Sequence, residues 1–279
     1  MSLKHLLLIA LLLPTSRHLL AQDTAVVAPL PVVQTPFLKS IARDGEHTGK
    51  TILLTYAQPL HWQKKDFLRL GGALAISASA LLVDEHLSAY LQRNHTPGLD
   101  RLERVGYFLG KPTTNYPVMI ALWASGVATR NEWLRDTGLM VIASVTTSGL
   151  VQTAAKELAG RARPGAGRGN LYFDPLSNNS DYHSFPSGHT MLSVATSWIL
   201  ARQVKSVPLK VVFYALPVIT GGSRVYVGAH WLSDVLLGSA LGIACAESVL
   251  RLYPAIKASR AYSVNVIPTV TGASLLVTL

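Results

Sequence analysis

The chain has a single cysteine, Cys245. An internal disulfide is therefore excluded, and so is a metal site built from several thiolates. Cys245 sits in the apolar run Ala244-Cys245-Ala246, where a cysteine behaves as a small buried side chain. With no cysteine near the start, a bacterial lipoprotein anchor is not expected. Charge is also scarce: only 14% of the 279 residues are Asp, Glu, Lys or Arg, against about 25% in an ordinary soluble domain. Apolar residues make up 49%. The net charge is +10, yet there are no long basic runs of the kind that grip nucleic acid. The basic residues stand instead at the ends of apolar segments and in Arg161–Arg168, which suits membrane-flanking loops and an anionic ligand. No nucleic-acid partner is expected. No cluster of carboxylates suggests a divalent cation, so neither a metal nor a cofactor is expected.

What is present is ordered along the chain. Lys4 and His5 precede the apolar run Leu6–Leu13, and Ala21 offers a cleavage point. Residues 1–21 therefore read as a signal peptide or an uncleaved N-terminal anchor. Residues 22–63, with Pro29, Pro31 and Pro36, read as a partly irregular extension. Six apolar segments follow, near Phe67–Val83, Tyr116–Thr129, Thr137–Ala155, Ser187–Lys205, Pro208–Gly222 and His230–Leu252. Their lengths favour helices over strands. Small residues such as Gly71, Gly72, Gly238 and Gly242 allow close helix packing. The expected architecture is all-α: a bundle of about six helices over residues 64–256, embedded in a membrane, with its active site at one end. Residues 257–279 form a C-terminal tail, either a strand or a loose end.

Basic clusters at Lys64/Lys65/Arg69, Arg130/Arg135, Arg202/Lys205/Lys210 and Arg251/Lys257/Arg260 fall on one side if every segment spans. By the positive-inside rule the stretches 156–187 and 223–234 then lie outside the cytoplasm. Six spans also place residues 22–64 in the cytoplasm, whereas a cleaved signal peptide places them outside, so not all of these readings hold together.

Three stretches carry chemistry. In His230-Trp231-Leu232-Ser233-Asp234, a spacing of four puts both side chains on one helical face, where the carboxylate can fix the imidazole tautomer. An imidazole so held is a nucleophile, although such a pair also serves to tie a helix end to its neighbour. In Pro186-Ser187-Gly188-His189, Ser187 caps a helix whose free N–H groups favour an anion, and His189 is placed as a general acid. Lys156, Arg163 and Arg224 add a point charge and two guanidinium forks. Pro164 and Gly165 are expected to end the third helix, and Arg161 and Arg168 to be solvated or to face headgroups.

Together, Lys156-x6-Arg163-Pro164, Pro186-Ser187-Gly188-His189 and Ser223-Arg224-x5-His230-x3-Asp234 resemble the motifs of the type 2 phosphatidic acid phosphatase family. That family is related to bacterial class A acid phosphatases and vanadium haloperoxidases. The resemblance covers about residues 116–252. It implies that His230 is the nucleophile, Asp234 its orienting partner and His189 the acid for the leaving group. It implies too that Lys156, Arg163, Ser187, Gly188 and Arg224 cradle phosphate. The expected activity is metal-independent hydrolysis of a lipid phosphate monoester or pyrophosphate through a phosphohistidine. The expected place is the bacterial inner membrane, with the site facing the periplasm. The alternatives are a soluble periplasmic acid phosphatase, a vanadium-dependent haloperoxidase, and a transporter or scaffold.

Overall fold

A computed structural model describes residues 37–259 in full and the backbone of 263–269 and 272–278. The signal-peptide or anchor reading of residues 1–21 lies outside the described residues. Among the described residues there are eight α-helices: α1 (Phe37–Ala57), α2 (Lys64–Arg93), α3 (Pro97–Gly110), α4 (Pro112–Thr129), α5 (Glu132–Ala159), α6 (Gly188–Gln203), α7 (Val207–Tyr226) and α8 (Leu232–Ser259). Two antiparallel strands follow, β1 (Ser263–Thr269) and β2 (Gly272–Thr278). The all-α bundle expectation holds, with two helices more than the six apolar segments. The extra ones are α1, within the stretch read as irregular, and α3.

The starts and stops follow local chemistry. Asn131 caps α5 by accepting the Leu134 N–H at 3.0 Å, and Thr96 caps α3 by accepting that of Leu99 at 3.3 Å. α5 ends at Gly160, whose φ of 59° is the left-handed conformation a C-terminal glycine supplies. The helix therefore stops before Pro164 and Gly165. Pro164 instead opens a short 3-10 turn to Ala166.

α6 lies at the centre, packed against α5, α7 and α8. The apolar core fills the half of the bundle away from the motifs, with Leu139, Val141 and Val145 from α5, Leu192, Ala195 and Ile199 from α6 and Val249 from α8. α3 packs against α7 and α6. It comes so close that a Cβ on Gly110 would sit 2.7 Å from the His189 Cβ, and one on Gly106 would sit 2.6 Å from the Ile219 carbonyl oxygen.

Two helices bury polar faces and turn apolar ones outward. The buried residues of α1 are Asp44, His47, Thr48, Thr51 and Thr55; those of α2 are Ser77, Ala80, Asp84 and Ser88. On α2, Leu68, Ile76 and Leu82 are 65%, 60% and 82% exposed. In water this arrangement would waste apolar surface, whereas hydrocarbon rewards it. α2, α5 and α8 are each long and apolar enough to cross a membrane.

The bundle has two chemically different ends. At one, Lys257 of α8 binds Glu132 and Asp136 of α5, and Arg202 of α6 pairs with Glu247. At the other lie the C-terminus of α5, the N-terminus of α6 and the turn from α7 into α8, which carry all three motifs.

Candidate active site

His230 is almost completely buried, just before the first turn of α8. The turn that delivers it is closed by the Arg224 carbonyl, which accepts from the N–H groups of Ala229 at 3.0 Å and His230 at 3.2 Å. Its Nδ1 lies 2.7 Å from the Ser184 carbonyl oxygen. Because a carbonyl only accepts, Nδ1 carries the proton and Nε2 keeps its lone pair. Arg163 Nη1 stands 3.5 Å from that Nε2.

Asp234 does not bond the imidazole directly: its Oδ2 is 3.7 Å from His230 Nδ1. α8 begins at Leu232, so His230 lies outside the helix and the spacing of four does not set the two side chains one turn apart on a helical face. The link runs through Ser184, whose hydroxyl donates to Asp234 Oδ2 at 2.5 Å while its carbonyl accepts from His230. The Trp231 N–H also donates to Oδ2 at 2.9 Å. Oδ1 takes Arg161 Nη1 at 2.5 Å.

Arg161 is thus neither solvated nor at a headgroup; it is 1% exposed. It bridges Asp234 and Asp84, the latter at 3.1 Å, and also donates to Ser233 Oγ and the Asn170 carbonyl. Asp84 in turn accepts from the N–H and hydroxyl of Ser233. This pins α2 and the loop after α5 to the start of α8.

Arg163 is aimed by three carbonyls, of Ser180 at 3.0 Å, Ala229 at 2.7 Å and His183 at 3.1 Å. Lys156, on the last turn of α5, lies within electrostatic reach of Arg163 and Asp234. His189, on the first turn of α6, lies within the same reach of His230, Arg224, Lys156 and Arg163. The N–H groups of Gly188, His189 and Thr190 open α6 and so have no partner within the helix. Gly188 is packed against the Gln152 amide, where a Cβ would meet Oε1 at 2.2 Å. Ser187 departs from its expected part: its hydroxyl pairs with Thr190 Oγ1 at 2.9 Å, and its N–H donates to the Asp234 carbonyl at 3.1 Å.

α3 contributes a layer of residues that motif reading did not include. Arg224 pairs with Glu103, and its Nε donates to the Ser223 hydroxyl oxygen at 3.1 Å. Its guanidinium lies 4.6 Å over the Tyr107 ring, which stacks on His189 with centroids 5.2 Å apart. The Lys111 ammonium is 4.4 Å from the same ring.

Burial drives the His230 pKa down to about 4; the nearby Lys156 and Arg163 charges act in the same direction, and Asp234 opposes them. The imidazole is therefore neutral above about that pH.

Residues 137–258 match the PAP2 superfamily model, a span that contains every motif residue named above. The chain is 30% identical over 186 residues to phosphatidylglycerophosphatase B of Bacillus subtilis, covering 63% of this chain and 86% of that protein. The chain belongs to the PAP2 superfamily. It is also 29% identical over 199 residues to a lipid A 1-phosphatase of Rhizobium etli, covering 66% of this chain and 82% of that one. Among solved structures, it aligns with a transmembrane PAP2-type phosphatidylglycerolphosphate phosphatase from Bacillus subtilis. That alignment has a TM-score of 0.56 at 26% identity and covers 71% of this chain and all of the other. With three helices of spanning length, this PAP2 protein is a membrane protein.

Of the PAP2 motif residues, His230, His189, Lys156, Arg163, Gly188 and Arg224 meet at one end of the bundle. Ser187 and Asp234 lie directly behind them. Asp84, Arg161 and Ser184 complete the support. Asp84 had a visible signal, because an acid in the apolar run Leu81-Leu82-Val83 needs a buried partner just as Asp234 does.

Proposed function

We propose that this chain is a membrane phosphatase that removes a phosphate group from a lipid, through a phosphohistidine on His230, at the periplasmic face. The observation that carries the reading is the fixed lone pair of His230 Nε2, with His189, Lys156, Arg163 and Arg224 grouped within electrostatic reach. Phosphoryl transfer needs stabilised oxygens and an in-line nucleophile more than it needs covalent chemistry from the protein. The three cations and the α6 N-terminus meet the charge on phosphate. Burial, with the nearby cations acting the same way, holds the His189 pKa down at about 3 while no anion is bound; an anionic phosphate placed beside it opposes both effects and lets it take up a proton. His230 Nε2 attacks phosphorus, the bond from phosphorus to the lipid oxygen breaks, and His189, so protonated, gives that oxygen its proton. Water, deprotonated by His189, then attacks phosphorus, and the P–N bond to His230 breaks. Inorganic phosphate leaves, and Nε2 regains its lone pair.

Three observations support a lipid substrate. The relatives act, by name, on lipid A and phosphatidylglycerophosphate. Leu171, Phe173 and Leu176 are exposed on the loop that carries the Arg163 region. An apolar groove of about 440 Å³, lined by Leu87, Leu91, Leu102 and Val218, reaches Glu103 and Ser223 beside the site. Phosphatidic acid, phosphatidylglycerophosphate, a prenyl pyrophosphate and a lipid A phosphate all offer the required chemistry. The spanning helices argue against the soluble acid phosphatase.

The test is release of phosphate from this panel by purified protein in detergent, with and without EDTA and across pH. Turnover is expected to survive the chelator. The depressed His230 pKa keeps the nucleophile unprotonated above about 4, so activity should persist at mildly acidic pH and fall below about 4. No turnover of any member, or complete loss with EDTA, would sink the reading.

The periplasmic orientation rests on charge. Arg130, Arg135, Arg202, Lys205, Lys210 and Lys257 all stand at the end of the bundle opposite His230, as the positive-inside rule asks of a cytoplasmic face. Since Cys245 is buried, cysteines introduced one at a time report sidedness cleanly. In intact cells an impermeant maleimide is expected to label Asn178→Cys and to spare Ser206→Cys; the reverse pattern would invert the orientation.

A further inference from the structure

The best-placed phosphate ligand on α7 is already engaged by an anion from the protein itself. Arg224 is 5% exposed at its side chain, and its Nη2 pairs with the Glu103 carboxylate, itself 18% exposed. A carboxylate offers a guanidinium the same forked acceptor geometry as two phosphate oxygens. Glu103 sits on α3, which the glycine contacts at Gly106 and Gly110 seat directly against α7 and His189. Tyr107, one turn further along α3, supports the guanidinium from its ring face, and Ser223 Oγ holds Nε. Those two contacts do not depend on the carboxylate.

We propose that Glu103 is an internal stand-in for phosphate: it occupies Arg224 in the empty site and gives way to the phosphate group of the substrate. Tyr107 and Ser223 then hold the guanidinium in place during the exchange. The proposal rests on the phosphatase reading above and deepens it, assigning Glu103 as a positioning residue that acts through Arg224. Its consequence is a weakened grip on the product. Each departing phosphate is replaced on Arg224 by the carboxylate, so inorganic phosphate inhibits less than three unpaired cations would allow. A fixed strut would behave oppositely, since removing it would let Arg224 wander and weaken phosphate binding.

Glu103→Gln keeps the shape and removes the charge. In the full chain in detergent, with inorganic phosphate as the probe, its inhibition constant is expected to fall about tenfold, the scale of exchange of one partly buried ion pair. The KM for lipid phosphate should fall with it. In an Arg224→Ala background the same substitution should change phosphate affinity less than about twofold, because close partners are non-additive. Unchanged or weaker phosphate inhibition in Glu103→Gln overturns the proposal, as does tightening that persists without Arg224. Should Glu103→Gln not fold, Glu103→Asp, which withdraws the carboxylate by one methylene, is expected to tighten phosphate in the same direction, and failure to do so overturns it equally. Calorimetric titration of phosphate keeps the two claims apart. If the wild type turns over no lipid, the phosphatase reading fails on its own. If it turns over lipid while phosphate affinity ignores Glu103, only the stand-in fails.

Discussion

His230→Ala is expected to lower kcat on a lipid phosphate by about 10⁴-fold or more, the scale of removing a nucleophile that works as part of a unit. The protein should remain folded, because the ring's shortest polar contact is to a backbone carbonyl, that of Ser184, and Arg163, 3.5 Å from Nε2, keeps its three carbonyl partners. Retention of most activity would contradict the nucleophile assignment. Asp234→Asn should cost less, about 10- to 100-fold, the range for a residue that orients a ligand from behind. The reason is geometric. Asp234 reaches the imidazole through Ser184 and stands 3.7 Å from Nδ1. A loss in Asp234→Asn as deep as in His230→Ala would mean that the two side chains pair directly during turnover.

Arg161→Ala is expected to be the most destabilising single change near the site. It strands two carboxylates, Asp84 and Asp234, whose side chains are completely buried. Removing one partner of a buried pair costs about 3–5 kcal/mol, a large part of the total stability of a domain. A pronounced fall in the unfolding temperature in detergent is therefore expected, together with loss of activity, since the same guanidinium holds the Asp234–Ser184–His230 chain. Adding Asp84→Asn to Arg161→Ala should recover part of the stability, because one of the stranded charges is gone. An Arg161→Ala protein that melts with the wild type would refute this account of the network.

The chemistry of the site was legible because it is concentrated in short spacings. The interval from Arg224 to His230 makes a turn that closes on its own carbonyl, and Pro186–His189 opens α6. Long-range partners were harder to see. α1 was missed because its buried face is polar, running through Asp44, Thr48, Thr51 and Thr55, where an apolar period was sought. α3 was missed because its tightest contacts are made by Gly106 and Gly110 rather than by large apolar side chains. Thr96-Pro97, a capping residue followed by proline at the first helical position, was the available signal. With α3 went Glu103 and Tyr107. Arg161 was misread because arginine is ordinarily exposed; its burial is tenable because Asp84 and Asp234, 77 and 73 residues away in sequence, both pair with it.

The central claim is that phosphate passes through His230. It is tested most directly by quenching His189→Ala with alkali during turnover of a ³²P-labelled lipid phosphate, then mapping the label. A phosphoramidate survives alkali and is lost in acid, unlike a phosphoserine or an acyl phosphate. The account predicts acid-labile label on the peptide bearing His230, absent from a protein that also carries His230→Ala. Label on any other residue, or its persistence without His230, would contradict it.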